Sequence, residues 1–494
     1  MKTSTTVAAL LATSIMAFAA PAFAQEQAPA EAAPTAEETA AQTAFLAAQV
    51  ESLQTQIEAL KKQMSTAAPS WKGAPQWADT GAGWTFKPKG VIQFDAGYVT
   101  IPSYTGLTGT GATVGGVNTN NLGFNSRARR LIVGVEGTIP GDFFYKFELQ
   151  LSQGTVDYED MVIGYQKAGS PWSVTLGYQY PLSSLELLTS NRFTSFMERA
   201  ANTDAFNYNR RLGGTLAYTA PSGQFGLAAG LYGNETINNA NFNRTSWQAS
   251  VRGYYSPMIG DTQAHIGFQY QHRVQPRDGQ NVSYGIRPYT QITDQKFINT
   301  GAIAADGDDI LGGELAAVHH SLHMASEWQH VWVRGFAPGR AFRVNNSAGA
   351  GAVFYTGKPQ FDSGYFELGY FLTGETRGYK GGKWDRTKVL HPFTTGGLGA
   401  IQVNGRVDYT NLRDQVAPGV INTATNYVNG GRSIGYEASL IWLPIDYVKF
   451  MLQYAHSDIT GGKAALAPFA STVKPIQDRS YGVDAVTMRA QLDF

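Results

Sequence analysis

The chain has 494 residues with 38 basic and 38 acidic side chains, no net formal charge, and only 15% charged residues, against about 25% in soluble proteins. That balance gives no basis for nucleic-acid binding, and the absence of cysteine rules out disulfides, thiolate metal sites and a cysteine nucleophile. Fifty-five glycines, 12% aromatics and a mean hydropathy of −0.22 exclude a bundle of transmembrane helices and fit a chain that is apolar on alternate residues only.

Residues 1–24 read as a secretory signal peptide. Lys2 is the basic start, residues 7–20 form the apolar run, and Ala22-Phe23-Ala24 is the cleavage site. Residues 25–42 are rich in Ala, Glu, Pro, Gln and Thr with almost no large apolar side chain, which predicts a disordered linker. Residues 43–66 predict a periplasmic helix. Leu46, Val50, Leu53, Ile57, Leu60 and Met64 are spaced four, three, four, three, four, the seam of a coiled coil. The a and d residues lean towards two strands, but about three heptads are too few to fix the oligomer. Pro69 and Pro75 end the helix, and residues 67–89 read as a linker in which Trp71, Trp77 and Trp84 serve as interface anchors or as packing.

From residue 90 to 494 the chain repeats one theme: segments of about ten residues alternate apolar and polar, separated by short turns and longer loops in alternation. Phe143, Tyr145, Phe147, Leu149 and Leu151 face one way while Lys146, Glu148 and Gln150 face the other. Val486, Met488, Ala490, Leu492 and Phe494 oppose Thr487, Arg489, Gln491 and Asp493 in the closing segment. Sixteen such segments are counted, the ninth to twelfth having the weakest pattern. The fold expected is therefore all-β: a 16-stranded antiparallel transmembrane β-barrel with a short N-terminal coiled-coil helix. An even count suits closure, a barrel of this size leaves an aqueous channel, and tyrosines and tryptophans recur near segment ends as girdles do.

Function in such a fold lives in the lumen wall and in whatever loop narrows it. Residues 181–209 are the first candidate, because an extracellular loop facing water rarely carries Leu182, Leu185, Leu187, Leu188, Phe193, Phe196 and Met197 together. Alternation places Lys146, Arg252, Arg273, Arg406 and Arg489 on the lumen face, and Arg192, Arg199 and Arg211 are further anion-binding candidates. Arginine suits oxyanions because its planar fork binds them bidentately. The competing reading is that these arginines pair with Glu148, Glu437 or Asp408 and maintain a polar wall. His319, His320, His323 and His330 crowd one hairpin, but alternation sends His320 away from His319 and His323, which favours a polar turn over a metal site. No local motif joins a nucleophile to its base, so neither an enzyme nor a cofactor is expected.

Three stretches resemble the phosphate-selective porin O and P family: residues 185–199; Arg129-Arg130-Leu131 through Val135-Glu136-Gly137 to Asp142-Phe143-Phe144-Tyr145-Lys146-Phe147-Glu148; and Gly369-Tyr370-Phe371-Leu372-Thr373-Gly374-Glu375 with Tyr379, Gly382 and Trp384. The final Phe494 is similar to the assembly signal of outer-membrane barrels. The resemblance implies a trimeric outer-membrane porin whose third loop folds inward and whose basic lining draws anions, phosphate or pyrophosphate, through by passive diffusion. Its partners would be outer-membrane lipid, small anionic solutes, two further copies of itself and the barrel assembly machinery. One departure bears on selectivity: the family's phosphate site relies on lysines at the constriction, and residues 181–209 contain none. Two alternatives follow: a general or sugar-type porin, and a structural protein tethered through its periplasmic coiled coil.

Overall fold

The computed structural model describes residues 36–67, 70–72, 74–79, 81–102, 113–114, 117–233, 246–275, 281–303, 305–334, 342–344, 353–355, 358–416, 428–466 and 474–494. The expected signal peptide and the part of the expected linker before residue 36 lie outside them. The chain divides into two compact units, Met1–Ser65 and Thr66–Phe494.

The described part of the first unit is a helix, α1 (Ala36–Ala67), which continues to the start of the second. It begins seven residues before the expected 43, because the Ala, Glu and Gln of residues 36–42 are strong helix formers even though they supply no apolar seam. The seam residues Leu46, Val50, Leu53 and Ile57 are all exposed on the single chain.

The second unit is built on sixteen strands: β1 (Trp84–Val99), β2 (Gly123–Ile139), β3 (Phe143–Gln150), β4 (Asp157–Tyr165), β5 (Trp172–Gln179), β6 (Arg211–Thr219), β7 (Phe225–Gly233), β8 (Trp247–Tyr255), β9 (Thr262–Val274), β10 (Gly307–His319), β11 (Leu322–Arg334), β12 (Gln360–Phe371), β13 (Ala400–Asp414), β14 (Val428–Ile445), β15 (Val448–Thr460) and β16 (Ser480–Asp493). Each pairs antiparallel with its sequence neighbour, and β16 pairs back to β1 with Leu492 opposite Ile92 and Met488 opposite Ala96. The barrel is closed, and the count agrees with the sequence. The residues expected to be a linker instead hold short strands at Ser70–Lys72 and Ala74–Asp79, the second adding to β1 with Trp77 opposite Phe86. Strand β1 accordingly starts at Trp84 and not at 90.

The burial pattern is that of a soluble sheet turned inside out. Along β15, Lys449, Gln453 and Ser457 are buried while Phe450, Leu452 and Tyr454 are exposed. Apolar side chains stand outward on strand after strand, which only a lipid surround makes favourable. Aromatic rings collar the end that carries the short turns: Phe143 with Tyr165, Trp172 with Tyr218, and Trp442 with Phe450, at 5.0–5.5 Å between centroids. At this end Gly90 and Phe494 exchange backbone hydrogen bonds and the Phe494 ring lies so close over Gly90 that a Cβ there would come within 2.4 Å of it. Short turns mark the periplasmic end. One connection breaks the rule: β12 and β13 are joined at this end by residues 372–399, a loop as long as the extracellular ones.

Three loops fill the lumen. The β9–β10 connection carries a small ladder (Gly285–Ile286 with Ile298–Asn299, and Val282 with Ile303) and an apolar cluster in which Tyr284, Ile298 and Ile303 meet Val331, Phe361, Ile459 and Tyr481 of the wall. The other two loops frame the site.

Candidate functional site

The β5–β6 connection, residues 180–210, crosses the lumen to the opposite wall. Ser184 caps the single turn α2 (Leu185–Leu188), and α3 (Ala201–Phe206) follows. Between them the backbone is irregular, so its amides and carbonyls need partners other than their own. The wall supplies them. Glu327 accepts from the Glu186 amide at 2.6 Å, Gln453 from the Met197 amide at 2.8 Å and Asp408 from the Ala201 amide at 2.8 Å. Ser439 donates to the Ser195 carbonyl at 2.6 Å and Lys449 to that of Arg192 at 2.8 Å. Leu185, Phe196 and Met197, the apolar residues that marked this loop, are buried against that wall.

Four of the predicted arginines hold these loops in place. Arg489 forks onto Asp95 with both bonds at 2.7 Å, and also reaches Glu198 at 2.9 Å and the Met197 carbonyl at 2.5 Å. Arg406 lies among Glu186, Glu367 and Glu437 at 3.4, 3.1 and 3.4 Å, over the Phe196 ring. Arg273 forks onto Asp308 and donates to the Phe206 carbonyl at 2.7 Å. Arg252 forks onto Glu314 at 2.8 and 2.7 Å and donates to the Gly382 carbonyl at 2.6 Å. All four point inward, as alternation requires, yet all are buried and neutralised. They are loop clamps, which corrects their placement as pore lining.

Two cavities lie on the β1–β6 side of the lumen. One cavity of about 340 Å³ faces the extracellular end and is lined by Arg129, Arg130, Arg287, Glu159, Glu198 and Asp204, among others. A second, of about 840 Å³, faces the periplasmic end and is lined by Lys87, Lys89, Lys146, Lys380, Lys383, Arg192 and Arg386 against Glu136, Glu148, Asp160 and Asp385. Tyr180, Leu187, Asn191, Arg199 and Arg210 line both and form the neck between them. At the neck Arg210 is held by Asp160 and Glu159 over the Tyr180 ring, 4.1 Å from its centroid. Arg199 is held differently: it donates to the carbonyls of Glu186 at 3.0 Å and Thr189 at 2.8 Å and makes no salt bridge among the described residues. Lys87, Lys380 and Lys383 below the neck also make none, while Lys146 pairs with Glu148 at 2.9 Å and Arg192 with the same carboxylate at 3.3 Å. Above the neck Arg129 forks onto Glu198 at 2.8 and 3.0 Å. Burial pushes the Glu198 carboxyl up, but Arg129 and Arg489 outweigh it and hold the group well below the usual carboxylate range.

The periplasmic side of the neck owes two of its lysines, Lys380 and Lys383, to residues 372–399. This loop turns up into the barrel and meets the β5–β6 loop: the Trp384 amide donates to Thr189 Oγ1 at 3.1 Å and Arg377 to the Phe193 carbonyl at 3.3 Å, with its guanidinium 4.0 Å from the Trp384 ring centre. Lysines absent from the constricting loop thus reach it from another segment.

Of the eight sequence candidates, Lys146, Arg192 and Arg199 line the cavities. Arg211 does not; it turns to the carbonyls of Asn209 and Arg210 and the Tyr208 ring, and its neighbour Arg210 takes the place at the neck. Arg129, Arg130 and Arg210 were missed, although Arg129 and Arg130 stood in a quoted family stretch. The histidines do not converge: His320 sits at the turn with φ 50°, His323 is buried inward beside Gln402, and His330 lies at the far end of β11 facing outward. No metal-ligand group occurs among the described residues.

A model of the family described as phosphate-selective porin O and P matches residues 110–494. An uncharacterised protein of Caulobacter vibrioides is 34% identical over 437 residues, covering 86% of this chain and 77% of its own length. Porin O of Pseudomonas aeruginosa is 25% identical over 349 residues, covering 66% of this chain and 75% of its own. Among solved structures, an anion-selective porin from Comamonas acidovorans aligns with a TM-score of 0.44 at 11% identity, over 83% of this chain and all of its own.

Proposed function

The chain belongs to the phosphate-selective porin O and P family and is an outer-membrane channel; from that premise we propose that it conducts small anions, phosphate and pyrophosphate among them, along the β1–β6 side of its lumen. The observation that carries this reading is the neck. Arg199 stands there without a carboxylate salt bridge among the described residues, and so do Lys87, Lys380 and Lys383 beyond it. An anion entering the neck gives up part of its hydration shell, and guanidinium and ammonium donors replace it. Charge-assisted bonds to a fork favour an oxyanion over a spherical ion. The paired groups Arg210, Arg192 and Lys146 would tune the path without binding tightly, so that the ion leaves as readily as it enters. The test is single-channel recording in planar bilayers with phosphate added to chloride. Partial block of chloride current by phosphate supports the reading, and chloride current indifferent to phosphate contradicts it.

The exposed seam of α1 supports a second part of the reading: self-association into a homotrimer, assisted by this helix. Deleting residues 45–64 should shift cross-linked trimer towards monomer while leaving conductance per barrel unchanged. Phe494, seated over Gly90 where β16 closes on β1, is proposed as the residue the barrel assembly machinery reads.

A further inference from the structure

One motif recurs three times on the outward face, always near the extracellular end. Each copy is an aromatic residue and a histidine two positions apart on one strand, with an aspartate directly opposite the histidine on the next. On β9 and β10, Tyr270 Oη donates to Asp309 Oδ1 at 2.8 Å and His272 Nδ1 lies 2.7 Å from the same oxygen. On β11 and β12, Trp328 Nε1 donates to Asp362 Oδ1 at 3.2 Å and His330 Nδ1 lies 2.7 Å from it. On β15 and β16, Tyr454 and His456 share Asp484 Oδ1 at 2.7 and 2.8 Å. The ladder places each histidine opposite its aspartate. The copies differ at one atom. Nε2 of His456 meets Asp458 at 3.2 Å, whereas Nε2 of His272 and of His330 has no partner among the described residues.

The two open copies lie on four consecutive strands. Between them Arg334, outward on β11, binds Asp309 at 2.9 Å. Below this row Leu311 and Leu315 are exposed as lipid-facing side chains; at its level Trp328 stands half exposed, stacked on Tyr409 at 5.7 Å. Acyl-chain field, aromatic faces and hydrogen-bond donors follow one another in the order in which an acylated, phosphorylated sugar presents its parts. An aspartate that accepts from Nδ1–H fixes the ring orientation and leaves Nε2 for a second partner.

We propose that the extracellular end of the β9–β12 wall binds the phosphorylated saccharide headgroup of an outer-leaflet glycolipid, with His272 and His330 donating from Nε2 to its phosphates. The test uses the full-length protein in detergent and lipid A as the probe, with binding read by native mass spectrometry. The double variant His272→Gln/His330→Gln keeps the side-chain bulk and lies on the outer face, so its single-channel conductance reports that the barrel is intact. Losing two charge-assisted hydrogen bonds should weaken lipid A binding by about tenfold or more. Dephosphorylated lipid A should bind wild type and variant alike, inorganic phosphate should not compete, and His456→Gln should bind as wild type. Unchanged lipid A affinity in a conducting double variant would overturn the proposal. So would binding that survives the double substitution but disappears with a chelator, which would assign the contact to a bridging cation at the aspartates.

Discussion

The two halves of the lumen carry the same residue types and use them in opposite ways. On the β8–β16 side, Arg252, Arg273, Arg406 and Arg489 are buried, each forked onto or surrounded by carboxylates, and each also tied to a loop. On the β1–β6 side Arg199, Lys87, Lys380 and Lys383 line open space and make no salt bridge among the described residues. A guanidinium neutralised behind a loop positions that loop, while one left facing water sets the potential of the path. Conduction here depends on which half the loops leave uncovered.

The largest effects are expected from breaking the clamped half. Arg406→Met leaves Glu186, Glu367 and Glu437 buried around a missing cation, at a cost of roughly 3–5 kcal/mol. It should lower the thermal unfolding temperature and raise single-channel conductance as the β5–β6 loop loosens. Arg489→Met should do the same less severely, because Arg129 still holds Glu198; noisier current at unchanged ion preference is the expected recording. In the open half the effects move from stability to selectivity. Arg199→Gln should lower the unfolding temperature less than Arg406→Met does, because only its two bonds to loop carbonyls are lost and no carboxylate is left unpaired. One unit charge at about 6 Å in water favours an anion and disfavours a cation by about 0.7 kcal/mol each, so the anion-to-cation permeability ratio should fall roughly tenfold. Lys380→Gln with Lys383→Gln should change that ratio by less than about twofold at 0.15 M salt, and more at low salt, since screening acts over about 8 Å. Arg211→Gln, which alters a side chain outside both cavities, should change neither; a selectivity change as large as that of Arg199→Gln would break the comparison.

Much of this was legible in the chain. Alternation marked all sixteen strands, including the weakly patterned ninth to twelfth, because one face meets lipid and the other water and a slip of one residue exchanges them. The apolar run from Leu182 to Met197 marked the inward loop. Alternation could not tell that Arg406 and Arg489 are covered, since that depends on a loop distant in sequence. Nor could it tell that residues 372–399 rise into the lumen and bring Lys380 and Lys383 under the neck, because a long periplasmic loop departs from the usual length rule. Arg211 was a candidate by residue type alone, and residue type could not tell that it lies outside both cavities while its neighbour Arg210 lines them. The helix start was misplaced because seam residues report packing, and Ala36–Gln42 is helical by propensity alone.

The central claim is that the uncovered half of the lumen is basic enough to favour anions, and the zero-current potential across a planar bilayer under a potassium chloride gradient tests it most directly. The account predicts a potential of the sign set by chloride, reduced in magnitude by Arg199→Gln and unaffected by Arg211→Gln. A wild-type potential of the sign set by potassium would contradict it.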